Sequence, residues 1–377
     1  MAAYDVIVIG TGGVGSAAVY HLAQRGIRVV GLDQFPHAHD RGSSHGATRM
    51  IRQAYHEHID YVPLVLRSYD LWQDLERETG EQLMRRTGLL GVGSPTGEVV
   101  KGIRHSAATH GLQVDELSVD EIQRQFPCYR VPTGAVGLLE HQAGYLLVER
   151  CVLAHLQLAQ KHGATLLTGE IVRDWESTGT HVTVRTEQAE YSAAKLIVAG
   201  GAWAGRLLRE LNIPLRVMAK HLHWYATDQP AIHENAGCPA FFYELPEGIF
   251  YGFPQIDERG VKVGEHTGGT PVDDPDRLDR SVDPIDKSRV EHFLDNWIPN
   301  VRGRPTGHTV CMYTHSPDDH FVVDLHPEFD NVAVACGMSG HAFKFTCVLG
   351  SALADLALQR STDLPIQFLG CSRFTKP

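Results

Sequence analysis

Gly10, Gly12 and Gly15 form a Gly-x-Gly-x-x-Gly turn between the apolar run Val6-Ile7-Val8-Ile9 and a segment that reads as a helix to about Arg25, stopped by Gly26. In that context each glycine has a separate role. Gly10 permits the tight turn, Gly12 lets the backbone approach a pyrophosphate, and Gly15 allows close helix–strand packing, with the helix N-terminus facing the phosphates. Asp33 closes the next strand, 23 residues after Gly10, where a carboxylate can accept from ribose hydroxyls. The chemistry implied is dinucleotide binding; the turn alone does not separate FAD from NAD.

Three further clusters carry reactive side chains. In Gly42-Ser43-Ser44-His45-Gly46-Ala47-Thr48-Arg49-Met50-Ile51-Arg52, a glycine- and hydroxyl-rich turn leads into what reads as a short helix, on which Arg49 and Arg52 would share a face. An anion site and a solvated basic face are both compatible with that pair. In Val261–His266, strand alternation puts Lys262, Gly264 and His266 on one side, as a pocket wall or an exposed sheet face. Near the C-terminus Cys311 sits within a strand, and Gly337-Met338-Ser339-Gly340-His341 leads into the last helix. Backbone N–H groups at such a start suit an anion, yet Lys344 places a cation in the first turn, against the helix dipole, which points to a tertiary or ligand reason. Cys311 by itself also reads as a small buried hydrophobe.

The elements that must position these residues follow from periodicity. Ala2 to Asp33 reads as strand, turn, helix, strand; Tyr61–Glu78 and about Leu147–Lys161 as helices; Ala164–Leu167, His181–Arg185 and Ala194–Gly200 as strands. Leu215 to Thr267 alternates like antiparallel sheet, Gly268–Asp286 reads as an acidic surface loop, and Lys287–Trp297 as a helix. Strands recur at His308–Tyr313, Phe321–Leu325 and Val332–Ala335 before a last helix with Phe345, Leu349, Ala352, Leu353 and Leu356 on one face. The nucleotide-binding region is therefore discontinuous, with a second sheet inserted.

Composition bounds the answer. At 377 residues two connected domains are expected, and 43% hydrophobic with 21% charged residues suits a globular chain. The formal charge of −11 disfavours a nucleic-acid surface while leaving room for a local basic pocket. No apolar run approaches the roughly 20 residues that span a bilayer, and a strand beginning at Tyr4 leaves no signal-peptide pattern. Seven scattered cysteines without a CxxC pair or a His/Cys cluster predict no metal site and free thiols in a reducing, cytoplasmic compartment.

Taken together the segments resemble the flavin-dependent N-methyl amino acid oxidases, the family of monomeric sarcosine oxidase and N-methyltryptophan oxidase, over essentially the whole chain. The most specific stretches are Gly42-Ser-Ser-His-Gly-Ala-Thr-Arg-Met-Ile-Arg52, Cys311-Met-Tyr-Thr314 with Ser316-Pro-Asp-Asp-His320, and Ser339-Gly-His-Ala-Phe-Lys-Phe345. The resemblance implies an α/β fold like that of p-hydroxybenzoate hydroxylase. A Rossmann-type FAD-binding domain (residues 1–85, 145–214 and 300–377) would carry an inserted antiparallel-sheet substrate domain (86–144 and 215–299).

It also implies FAD joined by a thioether to Cys311. Arg52 and Lys344 would hold the substrate carboxylate. Arg49 and His45 would lie near the flavin ring, with Ser43, Thr48, Gly340 and Lys344 among the cofactor contacts. Lys262 would activate oxygen, and His266 and Tyr251 would line the substrate pocket. The implied reaction oxidises the C–N bond of an N-methyl amino acid, reduces O2 to H2O2, and leaves an imine that hydrolyses to formaldehyde and the demethylated amino acid. A monomer is expected. A primary or cyclic amino acid substrate (glycine, a D-amino acid, proline or pipecolate) is the enzymatic alternative, and a non-catalytic dinucleotide-binding protein the other. The chain departs from the family pattern at Ala47, where an acid is common, and at Ala342, where a glycine is common.

Overall fold

The computed structural model describes residues 4–301 and 303–374; the outermost residues of the expected FAD-binding segments, 1–3 and 375–377, lie outside the described residues. Val6–Ile9 of the strand Tyr4–Ile9 are buried, because parallel neighbours, Glu190–Val198 and Val29–Asp33, flank the strand and helices cover the sheet. Thr165–Thr168 extends the sheet beyond Val29–Asp33, and Val332–Cys336 runs parallel to the C-terminal end of Glu190–Val198. Antiparallel additions, Val172–Ser177 with Val182–Thr186 and the strand Val322–Leu325, bring it to eight strands. Helices Gly13–Gln24, Val148–Lys161 and Thr346–Gln359 pack together in one apolar core, joined by Tyr61–Thr79. None of the described helices is long and apolar enough to cross a membrane.

The second sheet has nine strands, in the order Thr270–Pro271, Arg216–Tyr225, Val261–Glu265, Gly248–Phe253, Ala240–Leu245, Leu89–Gly93, Val136–Glu140 and Asp115–Leu117, with Pro305–His315 also paired to Arg216–Tyr225. Helix Pro284–Trp297 packs an aromatic core beneath it; Phe293 stacks on Phe250 at 4.7 Å between ring centroids. Asp283 starts that helix by accepting from the N–H groups of Ile285 and Asp286. Three features differ from the sequence reading. The sheet is not wholly antiparallel, since Ala240–Leu245 runs parallel to Leu89–Gly93. Pro305–His315, inside a segment expected in the FAD-binding domain, belongs to this sheet: Val261–Glu265 pairs with only three residues of the ten-residue strand Arg216–Tyr225, and Pro305–His315 pairs along its other edge. The stretch expected as a loop includes the short strand Thr270–Pro271.

A third, three-stranded sheet corrects the short helix expected at Arg49–Arg52. Thr48–Ile51 is a strand antiparallel to Gly144–Leu147, which also pairs with Met84–Arg85. Gly46 and Ala47 just upstream have φ of +91° and +69°, left-handed values from which a right-handed helix cannot begin. Glu149 holds that bend, its carboxylate accepting from Gly46 N–H at 2.6 Å and Ala47 N–H at 3.1 Å.

Candidate active site

The site begins at the glycine turn. A Cβ on Gly15 would lie 1.8 Å from the Gly10 carbonyl oxygen, so only glycine lets the helix approach the strand this closely. A Cβ on Gly12 would meet no protein atom within 4 Å, which leaves an open cradle above the turn. Gly12 offers no side chain to cap the helix starting at Gly13; Gly13 N–H donates to Ser44 Oγ at 3.2 Å, and the N–H groups of Val14 and Gly15 remain available to an anion. Asp33 anchors the turn: its carboxylate accepts from Thr11 N–H at 2.7 Å, Thr11 Oγ1–H at 3.0 Å and Phe35 N–H at 3.0 Å.

From this turn a cleft of about 380 Å³ runs between the two large sheets. Gly10, Gly12, Asp33, Ser43, Arg49, Arg52, Tyr251, His266, Gly340 and Lys344 all line it. These ten residues, drawn from distant parts of the chain, are brought together. Strand Pro305–His315 contributes Met312, Tyr313 and Thr314 to the wall, and Thr314 Oγ1 is buried with no hydrogen-bond partner. An open glycine cradle at a helix start and an orphaned hydroxyl along one cleft are complementary to a dinucleotide carrying a polar ring system, so the residues present fit FAD.

Around Arg52 the chemistry is cationic. Arg52 is buried over the Tyr55 ring at 4.4 Å and donates from Nη2 to both oxygens of Glu57, at 2.7 and 2.8 Å. Burial would raise the Glu57 carboxyl, but Arg52 and neighbouring cations hold it well below its usual range. Lys344 lies in the 3-10 turn Phe343–Phe345 that precedes the last helix, not in the first turn of that helix as expected. Its Nζ donates to His341 O at 2.7 Å and sits over Tyr55 at 5.1 Å. Burial, then repulsion from Arg52, pushes its ammonium down to about 7. Burial also drives His266 well below its ordinary value and Tyr251 up to about 12, so both are neutral.

Five predicted residues do not line the cleft: Gly15, His45, Thr48, Lys262 and Cys311. Gly15 packs against the strand, and the other four are buried. Lys262 Nζ donates to Gly46 O at 2.6 Å, Thr48 O at 2.7 Å and Thr48 Oγ1 at 3.1 Å, which ties the second sheet to the bend before Arg49. Burial, with Arg49 adding repulsion, holds its pKa well below the usual lysine range. Arg49 donates to the carbonyls of Thr48 and Ser43 at 2.9 and 3.0 Å. His45 is pushed down to about 3 by burial and by Arg49, and its Nε2 has no partner. Cys311 is a free thiol on the strand that carries Met312, Tyr313 and Thr314.

Sequence reasoning missed Glu57, Phe242 and Thr314. Glu57, five residues beyond Arg52, has neither helical nor strand spacing to mark it. Phe242 lines the cleft between the aromatics Phe241 and Tyr243 of its strand, and nothing in the sequence sets it apart from them.

The comparisons with known proteins agree with this geometry. The family model described as DAO, FAD dependent oxidoreductase, matches residues 5–356. Monomeric sarcosine oxidase of Arthrobacter sp. (strain TE1826) is 40% identical, with 98% of this chain and 96% of that protein covered. N-methyl-L-tryptophan oxidase of Escherichia coli O157:H7 is 36% identical over 98% of this chain and 99% of its own length. Among solved structures, NikD, described as an unusual amino acid oxidase essential for nikkomycin biosynthesis, superposes with a TM-score of 0.86 at 27% identity over 98% of both chains. With the family model matching nearly its whole length and the nucleotide turn built as such a fold requires, this chain belongs to the FAD dependent oxidoreductases.

Proposed function

We propose that this protein oxidises the C–N bond of a secondary, N-methyl amino acid. The observation that carries the reading is the pair of buried cations, Arg52 and Lys344, on the same cleft as the glycine turn. The relatives named for sarcosine and N-methyl-L-tryptophan support it. FAD, when bound, would take two electrons from the amine and pass them to O2, giving H2O2. The substrate imine then hydrolyses to formaldehyde and the demethylated amino acid.

The chain's own residues set up that reaction. Arg52 and Lys344 bind the carboxylate, which competes with Glu57 for the Arg52 guanidinium. That anchor fixes the position of the amine relative to the cofactor. Around Arg52, the cations Arg49, Arg52 and Lys344 outnumber the carboxylate of Glu57, so this part of the cleft favours the neutral amine, whose nitrogen lone pair the oxidation needs. Neutral His266 and Tyr251 add no anion that would hold the ammonium form. Lys262, whose ammonium form is favoured by its three acceptors at Gly46 and Thr48 although burial and Arg49 oppose it, would in that form lower the barrier to superoxide formation.

Cys311 is the thiol we assign to a covalent flavin linkage, because its strand neighbours form the cleft wall. The reading carries with it a cytoplasmic monomer, which the seven free thiols suit. Peroxide and formaldehyde release should be measured across sarcosine, N-methyltryptophan, glycine, proline and pipecolate. Matched release of both products from an N-methyl substrate is expected; turnover only of glycine or the cyclic acids would overturn the assignment.

A further inference from the structure

Cys128 and Cys238 do not line the cleft just described and are 110 residues apart in sequence, yet their sulfur atoms are 3.4 Å apart in a buried contact. A disulfide needs about 2.05 Å, so closing the pair requires a shift of little more than 1 Å. The backbone on both sides can supply it. Cys128 follows the helix Val119–Gln125 in a turn, and Cys238 lies between the 3-10 turn Glu234–Ala236 and the strand Ala240–Leu245, so neither is fixed within a helix or a sheet ladder.

The surroundings make the two thiols unequal. Cys238 Sγ lies 3.1 Å from Tyr129 Oη, which donates to Pro239 O at 2.6 Å, so the Cys238 sulfur is held in place while its single S–H can turn to the Cys128 sulfur. The hydrogen bond with Cys238 holds the Cys128 thiol below its ordinary value, whereas that same contact and burial raise Cys238. One sulfur is thus favoured as the attacking thiolate and the other as the thiol that resolves the product.

We propose that Cys128 and Cys238 form a reversible redox site that hydrogen peroxide converts to a disulfide. The Cys128 sulfur attacks one peroxide oxygen, the O–O bond breaks, and the departing hydroxide takes up the proton lost by Cys128, leaving a sulfenic acid and one water. The Cys238 sulfur then attacks Cys128, the S–O bond breaks, and the hydroxyl leaves with the Cys238 proton as a second water. Two thiols lose two electrons in total and one peroxide gains them. A dithiol reverses the link by exchange. The bridge would fasten the turn after Val119–Gln125 to the strand that carries Phe242, a residue of the cleft wall.

The test uses reduced, full-length holoenzyme without amine substrate, so it is independent of the oxidase reading. The protein is titrated with hydrogen peroxide, quenched with catalase, denatured, alkylated and mapped by mass spectrometry. The expected result is two fewer alkylated cysteines than in the untreated control, a linked Cys128–Cys238 peptide pair, and full alkylation again after dithiol treatment. Cys128→Ser should lose none, whereas Cys238→Ser, which can form the sulfenic acid but not the link, should lose one, at Cys128, regained after dithiol treatment. Unchanged alkylation, a bridge between other cysteines, or Cys128 carried on to the sulfinic acid without a link would overturn the proposal. The wild-type map decides the matter even if a variant fails to fold.

Discussion

Lys344 is the residue whose state the cleft controls most directly. Burial and Arg52 set its ammonium near 7, and a bound carboxylate favours the charged form, raising the pKa in the complex. Affinity for a simple carboxylate ligand such as acetate is therefore fully present below about 7 and falls as pH rises through that value, by up to about tenfold per pH unit until the pKa of the complex is reached. Titration calorimetry across that range should show this slope in the parent protein and none in Lys344→Met; a flat profile in the parent would count against the carboxylate role. Lys262 makes a separate prediction. Because its charge sits behind Arg49 rather than on the cleft wall, Lys262→Met should lower kcat/KM for O2 far more than kcat/KM for the amine. Equal losses would mean that it acts only as the tie between Val261–Glu265 and the Gly46–Thr48 bend. These cations were legible in the sequence, whereas Glu57 was not: its role depends on a side-chain pairing with Arg52 that no local pattern records.

At the scale of elements, the glycine turn separates two kinds of requirement. Gly15→Ala pushes a methyl into the Gly10 carbonyl, and an overlap of that size with backbone should destabilise the fold by about 3 kcal/mol or more. Gly12→Leu places its side chain in open space, so the apoprotein should melt within a few degrees of the parent while flavin content falls sharply. Melting curves and flavin-to-protein ratios for the two variants check this; full flavin loading of Gly12→Leu would show that the cradle holds no pyrophosphate. The turn could be read in advance because strand, glycines and helix are contiguous. The Arg49 segment could not. Its strand state depends on left-handed values at Gly46 and Ala47 and on pairing with Gly144–Leu147, about a hundred residues away, which outweigh a spacing that looked helical. The same non-local cause placed Pro305–His315 in the second sheet.

Across the whole molecule, the cleft is walled by both large sheets: the glycine turn from one, Tyr251 and Thr314 from the other. A chain of net charge −11 thus concentrates Arg49, Arg52 and Lys344 on one internal surface, where screening by salt is weak. Because both sheets contact the cleft, the cofactor should stabilise the protein as a unit. In Cys311→Ala, where flavin would bind reversibly, the melting temperature should rise with added FAD, by the equivalent of about 2.7 kcal/mol at a hundredfold excess over Kd. A midpoint independent of FAD would place the cofactor elsewhere. The first sheet takes its strands from residues 4–198 and 322–336, with most strands of the second sheet between them in sequence, an order in which the strand-like segments can be read along the chain.

The most direct measurement is anaerobic titration of the purified protein with an N-methyl amino acid and, in parallel, with its methyl ester, following the visible flavin band. The account predicts a yellow protein that bleaches with the free acid and responds to the ester only at far higher concentration, since the ester offers Arg52 and Lys344 no charge. A protein that bleaches equally with both, or with neither, would contradict it.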